Sequence, residues 1–211
     1  MAWYYNITSS NPGMTKAQMK QNVDEFVNYF NGYMTSAAMA GILGNMQHES
    51  YLNPAQQEIG QGGSPNKGYG LIQWTPGSTL QAWLSARGYN WYDGSGQLYR
   101  IRCEGERTDG ASGYWLKTSN YSYTWAQFCQ LTDPAEACKA YLAERERAGV
   151  AALTQRLQYT AEWYDYIVNA VDPPDPSPTP PTPDPRPQDI PFWYGGVRDL
   201  QRRGIISNGK L

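Results

Sequence analysis

One histidine, His48, and three cysteines, Cys103, Cys129 and Cys138, are all the chain has of the residue types behind most metal and thiol sites. A zinc site built from them would lack the close-spaced ligand pairs such sites use. An odd cysteine number is no disulfide framework, although one pair can bridge in an oxidising place and spacing does not say which. No metal and no organic cofactor is implied. Apolar runs long enough to cross a bilayer are absent. Met1 to Ser10 shows no basic segment leading into an apolar one, so neither membrane insertion nor a secretory signal is expected. Excess positive charge is missing too: the net charge is -2, which leaves a nucleic-acid partner without electrostatic support. Phenylalanine is scarce, with 4 Phe against 17 Tyr and 8 Trp. Tyr and Trp join an apolar body to a polar edge, which suits stacking on sugars and equally suits the boundary of a core.

What is present is strongly organised. From Pro173 to Pro187 the chain reads PPDPSPTPPTPDPRP. Proline fixes φ and lacks an N–H, so this stretch is expected to be an extended, semi-rigid polyproline-II spacer. It divides the chain into a first domain at 1–170, a linker at 171–189 and a short C-terminal element at 190–211. The first domain reads as mostly helical. Thr15 with Gln18 makes a capping box ahead of Met19, Val23, Phe26, Val27 and Phe30 at helical spacing. A second helix starts near Thr35–Ser36, carries Met39, Ile42, Leu43 and Met46, and ends near Ser50, before Asn53-Pro54. Ser78 with Gln81 starts a third, closed by Gly88. A shorter one is predicted around Gln97–Glu106. Asp133-Pro134 with Glu136 combines a cap, an N1 proline and a capping-box acid. Val150, Leu153, Leu157, Ala161, Tyr164 and Val168 mark a last long helix. The glycine-rich stretch GQGGSPNKGYGLIQW suits tight turns, and only Tyr69–Trp74 within it resembles a short strand.

Glu49 stands out chemically. Cleaving a glycosidic bond calls for a carboxylic acid that keeps its proton near neutral pH and gives it to the leaving oxygen. Glu49 sits at a predicted helix C-terminus, where the negative dipole end disfavours ionisation. The helix, AAMAGILGNM, is apolar, so partial burial adds to the effect. No Lys or Arg occurs from Gln21 through Asn66, so no cation nearby in sequence pulls the Glu49 pKa down, although one distant in sequence could still fold against it. His48 is its sequence neighbour, but adjacent helix residues point about 100° apart, so packing or a substrate contact is expected of His48 rather than pairing with Glu49.

GNMQHESYLNPAQQE, followed after a glycine-rich gap by GYGLIQW, resembles the signature of the lysozyme-like superfamily. Within it, the match is similar to the phage-tail-lysozyme type found in phage tail proteins and endolysins. The residues that carry it are Glu49, Ser50, Asn53, Pro54, Gly70, Gln73 and Trp74. The motif covers roughly Thr35–Trp83, and the helical remainder follows less sharply to about residue 170. The resemblance implies a mainly α (α+β lysozyme-like) fold with one short β-hairpin, and a peptidoglycan hydrolase cutting the β-1,4 bond between N-acetylmuramic acid and N-acetylglucosamine. It makes Glu49 the general acid and places Tyr69, Gln73 and Trp74 along the sugar cleft. Gln supplies both a donor and an acceptor to hydroxyl and acetamido groups. A hydrolase needs a second carboxylate; Glu58, on the glycine-rich loop, is nearest, with Asp93, Glu104, Glu106 and Asp109 as further candidates.

Residues 190–211, with four Lys or Arg and one Asp after Ile190, resemble the first half of a helix–turn wall-binding or surface-layer repeat. The expected partners are bacterial peptidoglycan strands for the first domain and, for this segment, a wall polymer or a second chain. A lysin made in the host cytoplasm and released to the cell wall by a separate pore protein fits the family resemblance, as does an extracellular or virion-associated protein. Three rivals remain open. One is a lytic transglycosylase, in which the sugar's own 6-hydroxyl closes an anhydro ring and one Glu suffices. The others are a non-catalytic glycan-binding or tail-structural module and a cysteine peptidase pairing one of the thiols with His48.

Overall fold

A computed structural model describes residues 2–111, 115–146 and 152–170 of the chain. The proline-rich spacer and the C-terminal element lie outside the described residues, as does Val150. Seven α-helices occur among the described residues: α1 (Lys16–Phe30), α2 (Ser36–Ser50), α3 (Gly77–Ser85), α4 (Gly94–Glu106), α5 (Trp125–Phe128), α6 (Pro134–Tyr141) and α7 (Leu153–Ala170). A π-helical turn, Leu142–Glu146, continues α6.

The caps explain most of the boundaries. Thr15 and Gln18 form the reciprocal box at the start of α1, Thr35 caps α2 and Asp133 caps α6 with Pro134 behind it. Two starts differ from the sequence reading. Helix α3 begins at Gly77 rather than at Ser78, because its first N–H groups are met by a loop: Gly77 donates to the Lys67 carbonyl (2.8 Å) and Ser78 to Pro65 (2.9 Å). Helix α4 begins three residues early, at Gly94, since Asp93 accepts from Gly96 N–H. Helix α5 was not anticipated, although Thr124 and Gln127 form the same kind of capping box as Thr15 and Gln18.

Helix α2 is the centre of the domain. It is apolar nearly all round, as a helix enclosed by others must be, and only His48 and Glu49 of its fifteen residues escape full burial apart from Ser36 at its start. Its main neighbours are α6 and α7. Gly44 is what lets α7 close in: a Cβ there would stand 2.0 Å from Thr160 Oγ1 and 2.7 Å from the Arg156 carbonyl. The buried face of α7 is therefore Arg156, Thr160, Trp163 and Ile167, one position away from the expected apolar stripe. Ala161 and Val168, assigned to that stripe, are exposed. The close approach to α2 decides which face turns inward, and that face carries an arginine.

Between α2 and α3 the expected strand and hairpin reduce to isolated bridges, Gln57 with Tyr69 and Tyr69 with Trp74. Tyr69 and Trp74 exchange both backbone hydrogen bonds, and the four residues between them turn back sharply, with Gly70 and Gln73 at φ 82° and 49°. Gly70 must be glycine twice over: its φ is positive, and a Cβ would stand 2.6 Å from Gln97 Oε1.

Candidate active site

The C-terminal end of α2 forms one wall of a cleft of about 500 Å³. Glu49 faces it, flanked by His48, with Glu58, Gln73 and Tyr51 on the surrounding wall and Glu146 contributed from the far side of the sequence. Local chemistry explains how the helix end is held. Tyr51 and Leu52 both adopt left-handed backbone angles, φ 56° and 60°, which stops α2 abruptly after Ser50. The Ser50 hydroxyl is shared between the Met46 carbonyl (3.0 Å) and the Leu71 carbonyl (2.8 Å), tying the helix end to the turn beneath the cleft. Asn53 pins the N-terminal segment by exchanging hydrogen bonds with the Asn6 backbone. Buried Gln97 accepts from Leu71 N–H and donates to the carbonyls of Pro54 and Trp91. One side chain thus staples three loops.

Glu49 does have a cation beside it, delivered by α7. Arg156 Nη2 donates to Glu49 Oε1 at 2.5 Å, with the arginine side chain 2% exposed and the glutamate 21%. Arg156 is aimed by a second bond from Nη1 to Asn45 Oδ1 (3.0 Å), one turn back along α2. His48 is held below its ordinary pKa by burial and then by the Arg156 charge, with Glu49 pulling the other way. Its imidazole is therefore neutral at pH 7.

Glu146 lies at the end of the π-helical turn. The residue before it, Arg145, is clamped by Glu104, which accepts from its Nη2 (2.7 Å) and Nε (3.1 Å). Glu104 also accepts from Arg100 (2.9 Å) and from Trp74 Nε1 (2.8 Å). This buried network fixes the turn that carries Glu146. Burial, and next the facing Glu49 carboxylate, push the Glu146 carboxyl up to about 8, against the pull of Arg145 and Arg156.

Of the residues singled out from sequence, Glu49, His48, Glu58 and Gln73 meet in the cleft. Glu58 is on its outer part: its side chain is 41% exposed, lies 3.5 Å from Lys67, and accepts from Gly68 N–H. The Gln73 amide donates to the carbonyls of Gly70 and Gln56, which braces the turn. Tyr69 and Trp74 are 2% and 4% exposed and belong to the core. The Tyr69 ring packs on Trp91 and over Gly77, and Trp74 is spent on Glu104, so neither ring is offered to the cleft as expected. Tyr51 is the aromatic that faces it. Of the other acids considered, Asp93 is a helix cap, Glu104 is the hub of the buried network, Glu106 pairs with Arg102 and Asp109 with Arg87. Sequence reading missed Arg156, Glu146, Tyr51 and Gln97. The thiols are buried and apart from the cleft, each pushed upward by burial, Cys129 to about 12.

Comparison with known proteins bears on the same region. The family model described as phage tail lysozyme matches residues 17–167. The chain belongs to the phage tail lysozyme family. It is also similar to morphogenesis protein 1 of Bacillus phage B103, at 30% identity over 159 residues, or 74% of this chain. The chain spans less than half the length of that relative, the match covering 42% of it. The lysozyme match runs from α1 almost to the end of α7, so it includes both ends of the Glu49–Arg156 pair and Glu146. Among the described residues no helix of this tail-lysozyme domain is long and apolar enough to cross a membrane.

Proposed function

We propose that the protein is a muramidase: it cleaves the β-1,4 bond between N-acetylmuramic acid and N-acetylglucosamine in bacterial peptidoglycan, with Glu49 as the general acid. The observation that carries this reading is the placement of Glu49 at the rigid end of a buried helix, facing a cleft with a second carboxyl across it. Glu49 protonates the glycosidic oxygen as the bond to the anomeric carbon breaks, and a second carboxylate assists water. His48, neutral at pH 7, Gln73 and Tyr51 contact the sugars; the Gln73 amide oxygen offers an acceptor, the imidazole a donor and an acceptor, and the tyrosine an aromatic face. Glu58, on the cleft's outer part and exposed beside Lys67, suits a contact to substrate better than a buried base. Cleavage of the wall makes the protein bacteriolytic and antimicrobial, acting as a phage lysin on the cell wall. The C-terminal element at 190–211 holds it there, through its cationic residues on an anionic wall polymer or through association with a second chain.

The relative's name, a morphogenesis protein, favours a second reading of where the same activity is used: in the phage particle rather than as a free lysin. The chemistry is tested by mass spectrometry of soluble products from purified peptidoglycan. Hydrolysis yields reducing muropeptides. Anhydromuramyl ends instead would move the reaction to lytic transglycosylation, and intact glycan with cut peptides would remove the glycosidase altogether.

A further inference from the structure

Among the described residues, the ion pairs around the cleft floor are made without Glu146. Arg156 of α7 is paired with Glu49 of α2, and Arg145 with Glu104 of α4. Glu104 takes Arg100 of α4 as well as Arg145, so three guanidiniums stand with three carboxyls, Glu146 among them. Tyr141 of α6 is the further titratable group buried against them, and it is pushed well above its ordinary value, first by burial and then by Glu146 itself. His48 and Glu58 share the same cleft. Glu146 Oε1 is buried with no hydrogen-bond partner. An ionised carboxylate there would put charge on a buried oxygen that no donor satisfies, although Arg145 and Arg156 act on it from a distance. A neutral carboxylic acid costs far less. Glu49 has the opposite problem: its carboxylate is satisfied by Arg156, yet a general acid must carry a proton.

We propose that Glu146 is the site's second carboxyl and holds the proton that Glu49 passes to the leaving oxygen. This rests on the muramidase reading. The O–H bond of Glu146 breaks as the proton joins the Glu49 carboxylate. Glu49 then gives that proton to the glycosidic oxygen, which takes the electron pair of the breaking bond to the anomeric carbon. The attacking water adds its oxygen to that carbon and loses a proton to the Glu146 carboxylate, restoring the starting state. One proton thus serves both carboxyls, with Glu146 holding it between turnovers. The Glu104–Arg145 clamp is the positioning element that keeps Glu146 in reach.

The test follows side-chain carboxyl signals by NMR in protein labelled with carbon-13 at glutamate Cδ, alongside the pH dependence of glycan cleavage. One carboxyl is expected to titrate near 8, as burial and Glu49 dictate for Glu146. That signal should vanish in Glu146→Gln and titrate at lower pH in Glu49→Gln, where the facing negative charge is gone. Glu146→Gln should cleave glycan on the order of 100-fold more slowly at neutral pH, with the alkaline fall of its profile moved to lower pH. Glu146→Asp should recover part of the rate. Glu146 titrating in the ordinary carboxyl range, or a Glu146→Gln protein with the parent's rate and profile, overturns the inference while leaving the muramidase intact. A parent protein that releases no glycan fragments removes the muramidase and the inference with it.

Discussion

Three glutamates, Glu49, Glu144 and Glu146, show how far surroundings divide one side-chain chemistry. Glu49 has an arginine, Glu146 has a facing carboxylate, and Glu144 has neither. Both oxygens of Glu144 are buried without a hydrogen-bond partner in normal reach. Burial pushes it up to about 7, opposed only weakly by the Tyr123 backbone and the Lys117 charge. The native state therefore holds a proton that the unfolded chain has released between the ordinary carboxyl range and pH 7, so stability falls as pH rises through that window. Glu144→Gln is expected to match the parent's stability at pH 4 and exceed it at pH 8 by on the order of 2 kcal/mol. Urea unfolding at the two pH values reads this out, and an equal gap at both would show that Glu144 is satisfied when charged. At this scale the sequence was informative where the chemistry is local. Glu49, Ser50, Asn53 and Gln73 sit within a short motif whose helix end and turn set their places. Arg156 and Glu146 reach the cleft from about a hundred residues further on, and no spacing rule links them to Glu49. Tyr69 and Trp74 have the composition of a sugar platform, but their neighbours use them for the core and for Glu104.

At the scale of elements, the agreement follows the caps. Start and sequence coincide where the capping side chain was recognised, at Thr15, Thr35 and Asp133, and differ at Asp93 of α4 and Thr124 of α5, whose caps were not. Where a loop supplies the partner, as Lys67 and Pro65 do for α3, local signals mislead. The inward face of α7 was misread because periodicity ranks apolar stripes and cannot see that Gly44 admits Thr160 and the Arg156 backbone. Gly44→Ala is the direct check. Its methyl would have to move α7 as a whole, since it meets backbone as well as Thr160, and a loss of about 2 kcal/mol or more is expected from such overpacking. Because α7 carries Arg156, glycan cleavage should fall with it. A variant as stable and as active as the parent would mean that the contact between α2 and α7 does not set the site.

For the molecule as a whole, the family match over residues 17–167 takes in every residue that lines the cleft. We propose the proline-rich stretch as a tether and residues 190–211 as an attachment point. Ending the chain at residue 170 is expected to preserve cleavage of soluble peptidoglycan fragments and to weaken retention on intact walls. The lost retention should be the part that salt suppresses, if cationic residues carry it. Equal wall binding by both forms would return the C-terminal element to another role. The account as a whole depends on Glu49. The measurement that tests it most directly compares soluble products from purified peptidoglycan for the parent and Glu49→Gln by mass spectrometry. Reducing muropeptides from the parent, lost in the variant although it stays folded, are the predicted result. Glycan cleavage that persists unchanged in Glu49→Gln would contradict it.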